Sequence, residues 1–475
     1  VKVPKGAKYD EARADRIVRF CARYLKHMKG RWAGQPFLLE PWQEEEIIRP
    51  LFGMVDAKTG RRWYREALIG LPRKNGKSEL AAAAALYLLL ADGEFGAEVY
   101  SLAGDRKQAS LVYRTAADMA KGSPFRSAVR VYRSVMEVPE TSGIYRALSA
   151  DADLQHGLNP HAAIIDEYHV HRDAEQYEAM RTGTAARLEP LILTITTAGP
   201  EKRGPLWSLY ERGVSGKDPR LFCYWRSVEP GTPLSDLEAF KRANPASWVT
   251  EEFLADQRDS LPEPVFRRLH GNEWYEAGGT LWVSREAWEE CEGPVEFDPA
   301  LPVYIAVDAG SRRDSTAIAM GQWSDDGKLN TRVWIMRADE SIGFLDYEMV
   351  ESLLRDLAST YDVRRIAFDP FQMVPVAQRL DGEGLPVEMF PQSHVRMVPA
   401  SQLLYDLIME GRIRHEGDDE VSEQVLSAGV REVPQGWRLD KRVRSRSIDA
   451  AIALAMMSQL AEWERAGADP RVIIF

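Results

Sequence analysis

Apolar residues recur at helical spacing between Tyr9 and Lys29 (Ile17, Val18, Phe20, Leu25, Met28), with basic residues between them, which predicts an amphipathic helix. The pattern changes at Glu66. A short apolar run, Ala67 to Gly70, leads through a polar loop into an Ala/Leu-rich stretch that reads as a buried helix. Further apolar runs at Ala97 to Gly104, His161 to His169 and Pro190 to Gly199 predict strands, and a helix is expected from Arg106. Strands alternating with helices in this way predict a parallel sheet covered on both faces.

From Pro230 to Gly279 the sequence turns helical, charged and Trp-bearing, and a small lid or linker is expected there rather than more sheet. A second set of strands then begins. Pro302 to Trp323 reads as two strands around a tight Gly/Ser/Arg turn, with a third strand at Thr331 to Ala338. A helix (Tyr347 to Thr360), a strand (Arg365 to Asp369) and further alternation lead to a last helix, Ile448 to Arg465. The expected class is α/β in three parts, residues 1–229, 230–300 and 301–475, with the two α/β domains joined near Gly293 to Leu301.

The chain has 475 residues, enough for two or three domains, and 45% of them are apolar, enough for ordinary cores. Lys and Arg number 61 against 72 Asp and Glu, giving a formal charge of −11. That excludes a surface basic all round and leaves room for one basic track. Cys21, Cys223 and Cys291 are odd in number and far apart; they fit neither a disulfide framework nor a zinc site and point to a reducing compartment. The basic opening residues lack the apolar segment of a secretory leader, and Leu80 to Ala91 is too short to span a bilayer. A cytosolic enzyme is expected.

The strongest chemical signal is Arg73-Lys74-Asn75-Gly76-Lys77-Ser78 between a strand and a helix. Such a loop wraps backbone N–H groups around a phosphate at the positive end of a helix. Lys77 then reaches the β- and γ-phosphates, and the Ser78 hydroxyl is placed for Mg²⁺. The general pattern has glycine where this chain has Leu71; a glycine stands one place earlier, at Gly70. Downstream, Ala162 to Glu167 is an apolar run ending in two carboxylates. Asp166 suits the Mg²⁺ shell and Glu167 suits polarising an attacking water, although an acidic pair also simply solvates a strand end. Trp42 and Gln43, with Phe37 before them, offer an aromatic wall and an amide for a purine base, or a core Trp and a surface Gln. Thr197, in Thr196-Thr197-Ala198-Gly199, offers a hydroxyl at the γ-phosphate. Arg73 in cis, or Arg126, Arg130 or Arg133 reaching a neighbouring subunit, is a candidate for stabilising charge in the transition state.

Three aspartates mark the second half. Asp308 lies mid-hairpin, at a strand centre with apolar residues on its N-terminal side, Asp369 ends a later strand, and Asp449 opens the last helix. A carboxylate amid buried residues is costly without a cation or a strong partner. A hairpin Asp, a later strand-end Asp and an Asp on the C-terminal helix form the pattern of an RNase H-like nuclease, whose hard oxygen ligands select Mg²⁺ or Mn²⁺. Read singly, Asp449 is also an ordinary acid at a helix start and Asp369, before Pro370, a turn residue. Asp314 is a nearby carboxylate that could assist. Arg438, Lys441, Arg442, Arg444 and Arg446 precede Asp449 and form either a grip on a phosphate backbone or a solvated basic loop. His161, His169 and His171 lack metal-ligand spacing with any cysteine and are read as structural or supporting.

Taken in order, Trp42-Gln43, Arg73 to Ser78, Ile164 to His169, Thr196 to Gly199, and Asp308, Asp369 and Asp449 resemble the large terminase subunits of tailed double-stranded DNA phages over nearly the whole chain. The resemblance implies an N-terminal P-loop ATPase with a parallel sheet, a small helical lid or linker, and a C-terminal RNase H-like nuclease with a mixed sheet. It implies ATP with Mg²⁺ at Lys77, Ser78, Asp166 and Glu167, and two Mg²⁺ or Mn²⁺ ions at the three aspartates. It also implies a motor that pumps double-stranded DNA into a prohead and cuts concatemeric genome. The implied partners are DNA, a small terminase subunit and the portal, on which the chain forms a ring of five, or stands as a monomer when free. The implied place is the host cytoplasm during assembly, not the mature virion. Terminases resemble one another in relaxing the glycine replaced by Leu71. A repair helicase–nuclease needs a second motor domain where this chain starts its nuclease hairpin, and a non-catalytic scaffold has no use for an intact Lys77, Asp166 and Glu167.

Overall fold

Eighteen strands and the helices between them are described by a computed structural model covering residues 3–103, 106–149, 157–171, 173–199, 202–274, 282–309, 315–337, 347–433, 435–441 and 447–467. Two compact units result: Val1–Leu261 with Phe266–Ala277, and Pro262–Val265 with Gly278–Phe475.

In the first unit β1 (Ala7–Tyr9) and β2 (Met54–Asp56) form a small antiparallel pair. The main sheet takes β3 (Glu66–Gly70), β4 (Glu98–Ala103), β5 (Arg130–Val131), β6 (Val135–Val138), β7 (Gly143–Ser149), β8 (Ala162–Asp166), β9 (Leu191–Thr196) and β10 (Leu221–Trp225) in the order β10-β3-β9-β8-β4-β7-β6-β5. The expected parallel sheet has one mixed edge. Six strands are parallel, but β6 and β5 run antiparallel at one edge. These edge strands are short and partly exposed, so they lack the continuous apolar run that marks a buried parallel strand.

Alternation along the central strands serves two cores. Ala67, Ile69, Ile164, Leu193 and Ile195 join one; Leu68, Ala163, Ile165 and Ile192 join the other. The helix Lys77–Leu90 is buried nearly all round, as its Ala/Leu composition requires, and packs into the first core. The helical stretch after Pro230 belongs to this unit rather than forming a separate lid, because Phe240, Ala246, Val249, Leu254 and Phe266 join the same core.

The second unit holds a six-stranded sheet of β11 (Pro302–Ala309), β12 (Thr316–Trp323), β13 (Leu329–Met336), β14 (Asp362–Phe368), β15 (Val387–Met389) and β16 (Ile413–Arg414), ordered β15-β14-β11-β12-β13-β16. The β11-β12-β13 meander is antiparallel, while β14, β15 and β16 are added in parallel, so this sheet is mixed as expected. One face packs Val303, Ile305, Val307, Ile318 and Phe368 against the helices Tyr347–Thr360 and Pro370–Gly382. The last helix, Asp449–Arg465, is buried from Asp449 to Ala461 and packs on β11 and β12. Its close approach needs Gly321, where a Cβ would lie 2.1 Å from Met457 Sδ. An antiparallel hairpin, β17 (Ala428–Val433) and β18 (Gly436–Lys441), completes the unit. The three cysteines are free thiols, and among the described residues no helix is long and apolar enough to cross a membrane.

Candidate functional site

Ligands in open parallel sheets bind beyond the carboxyl ends of the strands. In the first unit the neighbours β3, β9 and β8 bring the loop 71–76, Thr196-Thr197 and Asp166-Glu167 to one such edge. Lys74 (φ 68°) and Gly76 (φ 72°) are both left-handed, and Gly76 caps the helix Lys77–Leu90. A loop turned this way points backbone N–H groups at the space above the helix start. The buried Lys77 ammonium donates to Leu71 O (2.9 Å), Pro72 O (3.1 Å) and Thr197 Oγ1 (2.6 Å), which uses all three of its protons. Ser78 sits half-buried in the first turn of the helix.

Asp166 ends β8 and Glu167 follows in a left-handed conformation (φ 48°), an uncommon backbone for a non-glycine residue. That turn gives two adjacent carboxylates different surroundings. Burial pushes the Asp166 carboxyl up to about 7, helped by the Glu167 charge and opposed by Lys77. Burial works against the Glu167 charge too, but Lys77, His169 and Arg73 outweigh it and hold its carboxyl well below the usual carboxylate range. His169 Nδ1 lies 3.2 Å from Glu167 Oε2 and 3.2 Å from Thr196 Oγ1, so the imidazole links the acidic turn to the end of β9. Burial likewise pulls the Lys77 ammonium down, with Glu167 and Asp166 opposing the shift.

The loop is braced from behind by residues that carry no motif. Asn75 Nδ2 donates to Asn244 Oδ1 (2.8 Å), Asn75 Oδ1 accepts from Ala246 N (3.2 Å), and Arg73 N donates to Leu269 O (2.7 Å). Asn272 Oδ1 accepts from Ala198 N (2.7 Å) and Arg268 Nη1 donates to Ala198 O (2.9 Å), fixing the segment after Thr197. These bonds are buried, and each partner left unpaired would cost about 1–3 kcal/mol.

Beside Gly76 lies a cavity of about 220 Å³ lined by Trp32, Phe37, Gln43, Glu79, Ser247 and Trp248, among others. Trp248 Nε1 donates to Lys74 O (2.6 Å), and the Trp32 and Trp248 rings meet edge-on at 5.0 Å. A Cβ at Gly76 would lie 3.3 Å from Trp248 Cζ2 and 3.4 Å from Gln43 Nε2, so the glycine keeps this wall open. Trp42 is not part of it. Its ring is in the core and its Nε1 donates to Glu40 Oε2 (2.8 Å), while Glu40, itself in the cavity lining, accepts from Ser247 N (3.0 Å).

In the second unit Asp308 lies one residue before the end of β11, Asp369 directly follows β14, and Asp449 opens the last helix. Asp308 and Asp449 are buried and Asp369 is half-buried. Burial, then Asp449 and Asp369, push the Asp308 carboxyl up to about 8. Asp449 and Asp369 therefore both act on Asp308, although among the described residues no group of three or more Asp, Glu, His or Cys side chains stands at metal-ligating spacing. Lys441 opposes the shift in part, and a divalent cation relieves crowding of this kind further. Donors hold Asp308 and Asp449 in place. Gln392 Nε2 donates to Asp308 Oδ1 (2.6 Å), and Ser315 Oγ donates to Asp449 Oδ2 (2.7 Å). Gln424 donates to Ser315 Oγ (3.2 Å) and accepts from Ala450 N (2.9 Å). Arg438 and Lys441 are on strand β18 rather than in a loop; Arg442, Arg444, Arg446 and Asp314 lie outside the described residues.

The family descriptions for the terminase large subunit match both halves, its ATPase domain over residues 41–212 and its endonuclease domain over residues 324–464. The chain belongs to the terminase large subunit family. The large terminase subunit of Enterobacteria phage HK97 is 27% identical over 486 residues, covering 94% of each chain. The crystal structure of the HK97 large terminase matches with a TM-score of 0.50 at 25% identity, covering 94% of this chain and 100% of that one. The large terminase of a thermophilic bacteriophage in complex with ADP matches with a TM-score of 0.52 at 10% identity, over 83% of this chain and 93% of that one, a likeness of fold. This large terminase thus carries an ATPase domain and an endonuclease domain and is a subunit of a DNA-packaging motor.

For this terminase, Gly70 is not a displaced phosphate-loop glycine. It ends β3 without a positive φ, and a Cβ there would lie 2.0 Å from Trp225 Cε3, a ring held by Tyr210 and Trp274. Gly70→Ala is expected to cost about 1–3 kcal/mol by overpacking, read as a lower melting temperature, with ATP affinity of the folded protein unchanged. Lost affinity at unchanged stability would place Gly70 in the phosphate site instead. His161, fully buried, precedes β8 and pairs through Nε2 with Asp92 (2.8 Å), and burial takes His171 down to about 4.

Proposed function

We propose that ATP binds the loop Arg73–Ser78, with the Lys77 ammonium exchanging the Leu71 and Pro72 carbonyls for β- and γ-phosphate oxygens while Thr197 keeps its contact. Support comes from the short Lys77–Thr197 bond beside Asp166 and Glu167, since any change at the phosphate end moves the segment that follows β9. Ser78 and Asp166 would hold Mg²⁺, which neutralises phosphate charge when bound. Glu167, charged and tethered by His169, polarises the attacking water. The purine base enters the cavity of Trp32, Phe37, Gln43 and Trp248, where it stacks and meets an amide. A relative of the same fold has been captured with ADP.

Hydrolysis drives double-stranded DNA into a prohead through a ring of these subunits on the portal, with the small terminase subunit as a further partner. Arg126, Arg130 and Arg133 are exposed near the antiparallel sheet edge, where a neighbouring subunit could receive one of them. Asp308, Asp369 and Asp449 would hold Mg²⁺ or Mn²⁺, which activates water and stabilises the leaving oxygen of a phosphodiester. Arg438 and Lys441 then grip the DNA backbone and concatemers are cut.

What supports this reading is a phosphate-type loop in one compact unit and, in the other, a buried Asp308 that feels Asp449 and Asp369. The test is DNase protection of double-stranded DNA by portal-bearing proheads with ATP. Wild-type chain is expected to protect a genome length and Lys77→Ala none; protection by Lys77→Ala would overturn the motor reading.

A further inference from the structure

Gln392 belongs to no motif in the sequence, yet it reaches the nuclease centre. β15, β14 and β11 are parallel neighbours, so their carboxyl ends lie side by side. Gln392 follows β15, Asp369 follows β14 and Asp308 is near the end of β11, which brings one amide and two carboxyls to the same edge. The Gln392 amide donates to Asp308 Oδ1 at 2.6 Å. The amide thus presents its NH₂ to the Asp308 carboxyl. Gln392 is fixed from the other side as well, because Arg438 of β18 donates through Nη1 to its backbone carbonyl at 2.7 Å. Asp449 has a matching support in the Ser315–Gln424 pair. A carboxylate with one oxygen tied to a fixed donor keeps its other oxygen in a fixed direction. Outer partners of this kind are worth about 10–100-fold in metal affinity.

We propose that Gln392 is a positioning residue of the nuclease centre, holding Asp308 Oδ1 so that Oδ2 faces the divalent cation, with Arg438 linking the β17–β18 hairpin to that contact. The proposal rests on the nuclease reading above. It is tested on the full chain with Mn²⁺ alone, without DNA or nucleotide, by following free Mn²⁺ with electron paramagnetic resonance. The site of interest is the one lost in Asp308→Asn. Gln392→Ala and the similarly long Gln392→Met are both expected to weaken it about 10-fold or more, with the metal-free melting temperature unchanged. Equal or tighter Mn²⁺ binding in both variants overturns the proposal and leaves the nuclease reading standing, because wild type still binds through Asp308. Wild-type protein with no Mn²⁺ site sensitive to Asp308→Asn overturns both.

Discussion

Glu167→Gln is expected to lower ATP turnover by about 10²–10⁴-fold, the range a positioned general base contributes, while ATP affinity stays within a few-fold of wild type. The substitution keeps shape and volume and removes only the charge. That charge is sustained by Lys77, His169 and Arg73 against the cost of burial, with His169 Nδ1 3.2 Å from Glu167 Oε2. Lys77 and the loop backbone, proposed to bind the phosphates, are untouched. Phosphate release measured alongside equilibrium ATP binding separates the two effects. A fall in turnover of less than 10-fold would remove Glu167 from the chemistry and leave His169 as an ordinary structural partner.

Asp308→Asn is expected to abolish DNA cutting in Mg²⁺ or Mn²⁺ and to leave ATP turnover intact, because the two centres lie in different compact units. The same variant carries a pH signature. Asp308 holds its proton up to about pH 8 in the folded chain against an ordinary value of 3.8, since burial, Asp449 and Asp369 all disfavour its charge. The folded state therefore binds that proton more tightly than the unfolded state. Its stabilising contribution is complete below the unfolded value and is lost as pH rises through the folded one. Without divalent ions, the calorimetric transition of the second unit should fall in temperature between pH 5 and pH 8, and Asp308→Asn should flatten that fall. At pH 8 the variant should be the more stable protein. A parallel fall in both proteins would mean that Asp308 does not sense the other two carboxyls.

Much of this was legible because the relevant residues sit at the ends of apolar runs. Asp166, Thr197 and Asp369 lie at or just beyond a strand's carboxyl end, where periodicity predicts the strand and its last polar residue stands out, whereas Asp308, read as mid-strand, lies one residue before the end of β11. What escaped was whatever depends on contacts distant in sequence. Asn75 pairs with Asn244 across 169 positions, and Gln392 with Asp308 across 84. Neither asparagine nor glutamine in a polar stretch differs locally from a solvated one. Trp42 misled for a related reason, since the aromatic residues that line the cavity with Phe37 are Trp32 and Trp248, the second drawn in from a helical stretch that looked like a separate lid. Gly70 drew attention as a loop glycine, but the need for it comes from Trp225 on a strand that alternation alone did not reveal.

The central claim is that one chain houses a nucleotide site and a separate cation-dependent cutting site. A crystal grown with a non-hydrolysable ATP analogue and Mn²⁺, measured at the manganese absorption edge, tests it directly. Anomalous peaks are expected in both units, one between Ser78, Asp166 and the γ-phosphate and at least one between Asp308 and Asp449. A peak at the nucleotide alone, with Asp308 and Asp449 bridged only by protein hydrogen bonds, would contradict it.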